Sequence, residues 1–200
     1  MSSPAAPLEF HPYGLPLGTV RGFLSVLICS FFWIVLLYPP GNPPVAPLGH
    51  YFLLVLVFMA FASNPLPDAK VAFLPWLMRF IFVGGTLLVV GYLLVTDPQR
   101  LTERLTPRAE DITQWPVLLG CLTAGFGGAL VVRYLLGRNS EVFLTARAWI
   151  GIIAILLLLF ETLFQFAILP YMSDRPSADA LKVWEGALIV PVAAYFGSRA

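Results

Sequence analysis

The run GIIAILLLLFETLFQFAILP, residues 151–170, carries one carboxylate, Glu161, and one side-chain amide, Gln165, in an otherwise greasy stretch. A bilayer core about 30 Å thick is crossed by about 20 residues of helix, and this run alone is that long. The rest of the chain is built the same way. Of its 200 residues 58% are hydrophobic and 12% are charged, with a mean hydropathy of +0.83. A soluble domain carries about 25% charged residues, so this chain has too little polar surface to face water on all sides. Its solvent is expected to be largely lipid. The net charge of +1 offers no basic footprint for nucleic acid, which is excluded as a partner.

Working outward from 151–170, six apolar runs are expected to span the membrane: about 20–38, 47–63, 72–96, 115–136, 146–170 and 180–197. The second and sixth are the shortest. Helix is the expected state throughout, because lipid cannot satisfy free backbone N–H and C=O groups. A barrel would need short segments of alternating polarity, and these runs are continuously apolar. The expected fold is thus all-α, a polytopic bundle forming one transmembrane domain over 20–200, preceded by a Pro-rich tail over 1–19. No basic cluster precedes the first run and no small-residue cleavage site follows it, so it reads as a retained span and not a signal peptide. Tyr38, Tyr51, Trp76, Trp115, Trp149, Tyr171, Trp184 and Tyr195 lie near the expected span ends, where amphipathic rings settle at the headgroups.

Between spans, PPGNPP (39–44) is an uncharged, stiff link and NPLPDAK (64–70) a short one. DPQRLTERLTPRAEDITQ (97–114) is the one substantial polar loop. Leu101, Leu105 and Ile112 among its charges suggest a short interfacial helix broken at Pro107. Residues 137–144 and 171–179 read as turns, with Asp179 as N-cap of the last span. With the N-terminus inside, the inner face holds Arg21, Lys70, Arg79, Arg133, Arg138, Arg147 and Arg199, and the outer face Arg100, Arg104, Arg108, Arg175 and Lys182. The excess of basic residues favours both termini inside, in a bacterial inner membrane.

Residues 18–37 and 144–163 echo one another. Each sets small residues and an arginine, Arg21 or Arg147, before an apolar run, and FAS (61–63) and FGS (196–198) end the spans that follow. The first and second spans and the fifth and sixth are therefore expected to form a parallel repeat. TVRGFLSVL (19–27) together with AAYFGSRA (193–200) resembles small, mostly uncharacterised bacterial membrane proteins, some of them holin-like, with an Arg-led first helix and a Tyr-Phe-Gly-Ser-Arg ending. More loosely, the span ending near ASNPLP (62–67), the Tyr92-ended span, the Arg and Asp loop and the Arg133-ended span resemble the membrane subunits of tripartite periplasmic-binding-protein-dependent transporters. The first resemblance implies a small membrane protein or pore, the second a subunit of a transporter.

Glu161 falls near the middle of the fifth run, with Gln165 one turn further on the same face. An acidic residue there costs about 2.5–3.5 kcal/mol on insertion scales, tolerable if it faces the protein interior, is protonated or meets a cation. Two readings stand: polar glue between helices, or a proton or ion site. Arg79, inside the third run, is the candidate cation, able either to snorkel to the inner face or to turn inward. Glu185 reads as an interfacial carboxylate near a helix start, and His11 and His50 are isolated. In LLGCLTAGFGGALVV (118–132), Gly120, Ala124 and Gly128 recur every four residues, a small-residue face for close helix packing with Gly84 and Gly85 as partner; the alternative is a bend at 125–127. Cys29 and Cys121 read as packing residues. No metalloprotease, P-loop or nucleophile-elbow motif occurs, so no catalytic residue, cofactor or metal ligand is expected. Two functions remain: an accessory or structural subunit of a larger membrane assembly, or a homo-oligomeric channel, holin-like pore or small transporter with Glu161 on its pathway.

Overall fold

A computed structural model describes residues 18–38, 46–62, 73–107, 112–137, 140–172 and 177–199. The described residues form an all-helical bundle: α1 (Thr19–Leu37), α2 (Leu48–Ala62), α3 (Phe73–Thr96), α4 (Pro98–Leu105), α5 (Trp115–Leu136), α6 (Glu141–Leu163) and α7 (Ala178–Gly197). A π-helical turn, Phe164–Ile168, and a 3-10 turn, Leu169–Tyr171, continue α6. Five of these helices are long and apolar enough to cross a membrane: α1, α3, α5, α6 with its extension, and α7. Each of the six expected runs is helical, but α2 has 15 residues, short of the about 20 a bilayer asks for. The Pro-rich tail to residue 17, the 39–44 and 64–70 links, and Arg108, Arg138 and Arg175 lie outside the described residues.

The helices share two ends. Gly22 of α1 lies against Met78 of α3, and Trp33 near the other end of α1 meets Gly85 and Thr86 of α3, so α1 and α3 run parallel. Phe31 and Phe32 of α1 touch His50 and Tyr51 at the start of α2, so α2 runs antiparallel to both. In the second half, Cys121 and Gly125 of α5 meet Gly186 and Val190 of α7, again a parallel pair, with α6 returning between. The core joins the two halves through Leu24, Ile28, Leu53, Leu158, Leu188, Ile189 and Val192.

Local chemistry sets the element ends. The polar loop after α3 becomes α4, which starts at Pro98, whose missing N–H costs nothing at a first helical position. Its N-cap is Asp97, whose Oδ1 accepts from the Arg100 N–H at 3.1 Å. The expected short helix is therefore present and ends before Pro107. It also closes the end of α1. The last carbonyls of a helix have no partner within it and carry the negative end of its dipole. Arg104 Nη1 donates to the carbonyls of Val35 (2.8 Å), Leu36 (3.2 Å) and Tyr38 (2.5 Å), and Arg100 Nη2 donates to Tyr38 (2.5 Å). The Tyr51 hydroxyl in turn donates to the Leu105 carbonyl at 2.7 Å.

Several expected boundaries move. α6 starts at Glu141 and not near 146, so the preceding turn is shorter than 137–144. The N-cap of α7 is Ser177, whose Oγ accepts from the Ala180 N–H, two residues ahead of the expected Asp179. Tyr195, expected at the headgroups, is fully buried in the core.

Candidate functional site: a sealed polar cluster between α6 and α7

Pro170 has no N–H for the carbonyl one turn back, and its ring crowds that carbonyl. The helix responds by widening into the π-helical turn at Phe164–Ile168, then tightening into Leu169–Tyr171, a local change of pitch often found at functional positions. The widened turn carries Gln165 and Phe166. Phe166 packs on Phe31 and Tyr38, ring centroids 5.2 and 6.1 Å away, which ties the end of α6 to the α4 end of α1.

Glu161 sits just before this turn and is 0% exposed. Both carboxylate oxygens are occupied. Gln165 Nε2 donates to Oε1 at 2.9 Å, the one-turn pairing expected from the sequence, and Trp184 Nε1 of α7 donates to Oε2. Phe160 closes the cluster edge-on against the Trp184 ring, 5.4 Å between centroids. Glu161 lies ten residues before Tyr171, in a continuous helical stretch of 31 residues, Glu141–Tyr171. It therefore sits a little past the middle of that stretch, in the half of the bundle toward the α4 end.

Arg79 is not part of this cluster. It lies on the first turns of α3, at the opposite end of the bundle, in reach of the Arg21 charge. Direct pairing of Arg79 with Glu161, which the sequence allows but does not favour, is not made, because α3 packs along α1 while Glu161 faces α7. The partner that sequence reasoning missed is Trp184. Its position near a helix start suggested a headgroup ring, and nothing in a single apolar helix announces that an indole N–H points sideways at a carboxylate on its neighbour.

A second carboxylate serves the same end. Glu185 Oε2 accepts the Gly49 N–H at 3.0 Å, so a residue of α7 caps the first turn of α2, where unpaired N–H groups and the positive dipole end favour an anion. The approach is tight: a Cβ on Gly49 would stand 3.0 Å from Glu185 Oε2 and from Ile189 Cδ1, the ends of two side chains that would have to give way. His50, expected at the interface, is instead buried, stacked on Phe31 with 3.9 Å between ring centroids. Replacing Glu185 by alanine should lower stability by about 1–2 kcal/mol, the range for a lost cap with charge-assisted bonding. Reversible unfolding in mixed micelles measures this, and an unchanged midpoint would remove the capping role.

The small residues are arranged differently from the expectation. A Cβ on Gly84, Gly120 or Gly128 would meet nothing within 4 Å, and Gly120, Ala124 and Gly128 are all exposed. Gly85 packs, but on the Trp33 ring of α1 and not on α5. The close approach within the chain is made one helix face away. A Cβ on Gly125 would stand 2.5 Å from the Val190 carbonyl oxygen, one on Gly186 3.2 Å from Cys121 Sγ, and one on Gly197 would overlap the Phe126 backbone. α5 shows no break at 125–127 and is one continuous helix there. Both cysteines are unpaired thiols in packed positions, and the described residues hold no cluster of metal-ligating side chains.

Comparison with protein-family models, with curated proteins and with solved structures gives no match.

Proposed function

We propose that the protein is a structural or accessory subunit of a larger assembly in a bacterial inner membrane, packed there against other membrane subunits or further copies of itself. The observation that carries this reading is the Gly120, Ala124 and Gly128 face of α5. Small residues in this spacing let a second backbone come close, yet this face meets nothing of its own bundle. α5 packs mainly on α7 with its opposite side, leaving the stripe open to the membrane plane. Lipid tails gain nothing from a row of missing side chains, whereas a neighbouring helix does.

The sealed cluster supports the same reading over a conducting one. A carboxylate on an ion pathway needs access to water, and Glu161 has none, with an N–H on each oxygen. Its role is polar glue, fastening α6 to α7.

The topology proposed has six crossings, with α2 as the sixth. In support, α2 runs antiparallel to α1 and α3 and so joins opposite ends of the bundle. A thinner local bilayer or flanking polar residues can accommodate its length at modest cost. The parallel repeat of α1–α2 and α6–α7 is supported by Arg21 and Arg147 lying at the same end. Both termini face inward in this proposal. Arg21, Arg79, Arg133, Arg147 and Arg199 gather at one end, while at the other Arg100 and Arg104 are tied to the carbonyls closing α1.

Gly128→Leu tests the assembly. The extracted monomer should keep its stability, because a Cβ at Gly128 meets nothing within 4 Å among the described residues, while native gel or mass measurement of gently solubilised membranes should show a smaller complex. An unchanged complex would remove the α5 interface. A lone homo-oligomer that conducts ions in reconstituted vesicles would replace the subunit reading with the pore.

A further inference from the structure

The four arginines at the α1 N-terminal end come from four different helices and converge. Arg21 is on α1, Arg79 on α3, Arg147 on α6 and Arg199 just past α7. Arg21, Arg147 and Arg199 lie about Tyr195, and Arg79 lies within reach of Arg21. The Tyr195 ring fits into a notch at Gly151, where an added Cβ would stand 3.1 Å from that ring and 3.1 Å from Val20. That notch is one helical turn from Arg147 on the same face of α6 and beside Arg21 on α1. The Arg199 guanidinium carbon lies 5.9 Å from the centroid of the same ring. Arg21 is within charge–charge reach of Arg79 and Arg199, and Tyr195 within reach of Arg199, Arg147 and Arg21. Arg79 and Arg147 are 8% and 9% exposed. The Tyr195 hydroxyl is buried and makes no hydrogen bond of normal geometry among the described residues, although Arg199 is beside it.

Gathering four guanidiniums costs like-charge repulsion and desolvation, and packing alone does not require it, since Gly22, Gly151 and the core leucines already join these helices. A phosphate group answers the arrangement. It offers several acceptor oxygens to planar guanidinium forks, which bind it in pairs of parallel N–H···O bonds, and a further acceptor to a tyrosine hydroxyl. Basic pockets between transmembrane helices at the cytoplasmic surface are places where anionic headgroups seat.

We propose that Arg21, Arg147 and Arg199, gathered around the buried Tyr195 hydroxyl with Arg79 beside Arg21, form a binding site for a phosphate group at the inner membrane surface, carried by an anionic lipid headgroup or free in solution. Arg21 and Arg199 are half-buried and meet the group first, while Arg79 and Arg147 are buried and lie deeper.

The test uses the full chain purified in a neutral detergent. Phosphatidylglycerol, a zwitterionic phosphatidylcholine and inorganic phosphate are each titrated in, and bound lipid is read by native mass spectrometry alongside the thermal midpoint. Phosphatidylglycerol should be retained in preference to phosphatidylcholine and should raise the midpoint. Arg199→Gln combined with Arg147→Gln should weaken retention about thirtyfold, from about fivefold for each arginine lost. Arg199→Lys keeps the charge but loses the fork and should fall between. If inorganic phosphate alone raises the midpoint and competes with the lipid, the free anion is an occupant too. If it does neither while the lipid binds, the headgroup is the source. Should the parent protein bind neither phosphatidylglycerol in preference to phosphatidylcholine nor inorganic phosphate, the site does not exist. Equal retention by Arg199→Gln and the parent would overturn it as well.

Discussion

Gly125→Ala should cost about 3 kcal/mol, the upper part of the range for overpacking a well-filled interior, and Gly125→Leu more. The new Cβ would stand 2.5 Å from the Val190 carbonyl oxygen and 3.1 Å from Ala193 Cβ. Backbone cannot move aside like the end of a flexible side chain, so α5 must separate from α7 along its length. That is the most extensive helix pairing in the bundle, and α5 has little other contact to hold it. Gly128→Ala, three residues on, should leave the unfolding midpoint unchanged or slightly raised, since alanine is the better helix former. Denaturant unfolding in micelles compares the two. Equal midpoints would mean that α5 does not pack through Gly125.

The second large effect concerns Glu161 and Trp184. An indole N–H can only donate, whereas a glutamine amide can turn to donate or accept. Trp184→Phe leaves Glu161 Oε2 buried with one partner fewer and should cost about 1–3 kcal/mol, the penalty for an unsatisfied buried polar atom. Glu161→Leu should cost about 1–2 kcal/mol, because the lost bonds are offset by better lipid compatibility. In the double variant Glu161→Leu, Trp184→Phe, both ends of one bond are gone, and its cost should fall below the sum of the single costs. Glu161→Gln should be nearly silent. Its carbonyl can accept from Trp184 while its amide donates to Gln165, whose own amide turns over. In reconstituted vesicles neither Glu161 variant should alter proton or cation flux. Loss of flux in Glu161→Gln with unchanged stability would transfer Glu161 from glue to pathway.

The pairing of Glu161 with Gln165 was legible in the chain, because residues four apart on a helix are neighbours whatever surrounds them. Trp184 was not, because a contact between helices depends on how each is rotated about its axis. A soluble helix advertises that rotation through a polar face and an apolar one. Here α2, α5 and α7 are apolar all round, so side chains facing lipid and side chains facing protein look alike. The small residues show the consequence. Gly120, Ala124 and Gly128 have the regular spacing, but Gly125, Gly186 and Gly197 make the contacts. They sit on different turns of two helices and align only when α5 and α7 lie side by side.

By itself the sequence determined that the chain is helical with helices long and apolar enough to cross a membrane, where those helices run, that a short helix follows α3, and which end gathers arginine. Those properties follow from length, hydropathy and the need to satisfy every backbone group within the segment. Tertiary structure alone decided that Arg100 and Arg104 close α1, that Glu185 caps α2, that Tyr195 lies among Arg21, Arg147 and Arg199, and that Arg79 and Glu161 stand at opposite ends. Each of those depends on which helices are neighbours and how they are turned, and in a chain whose surface and core are equally apolar, packing geometry decides that, not polarity.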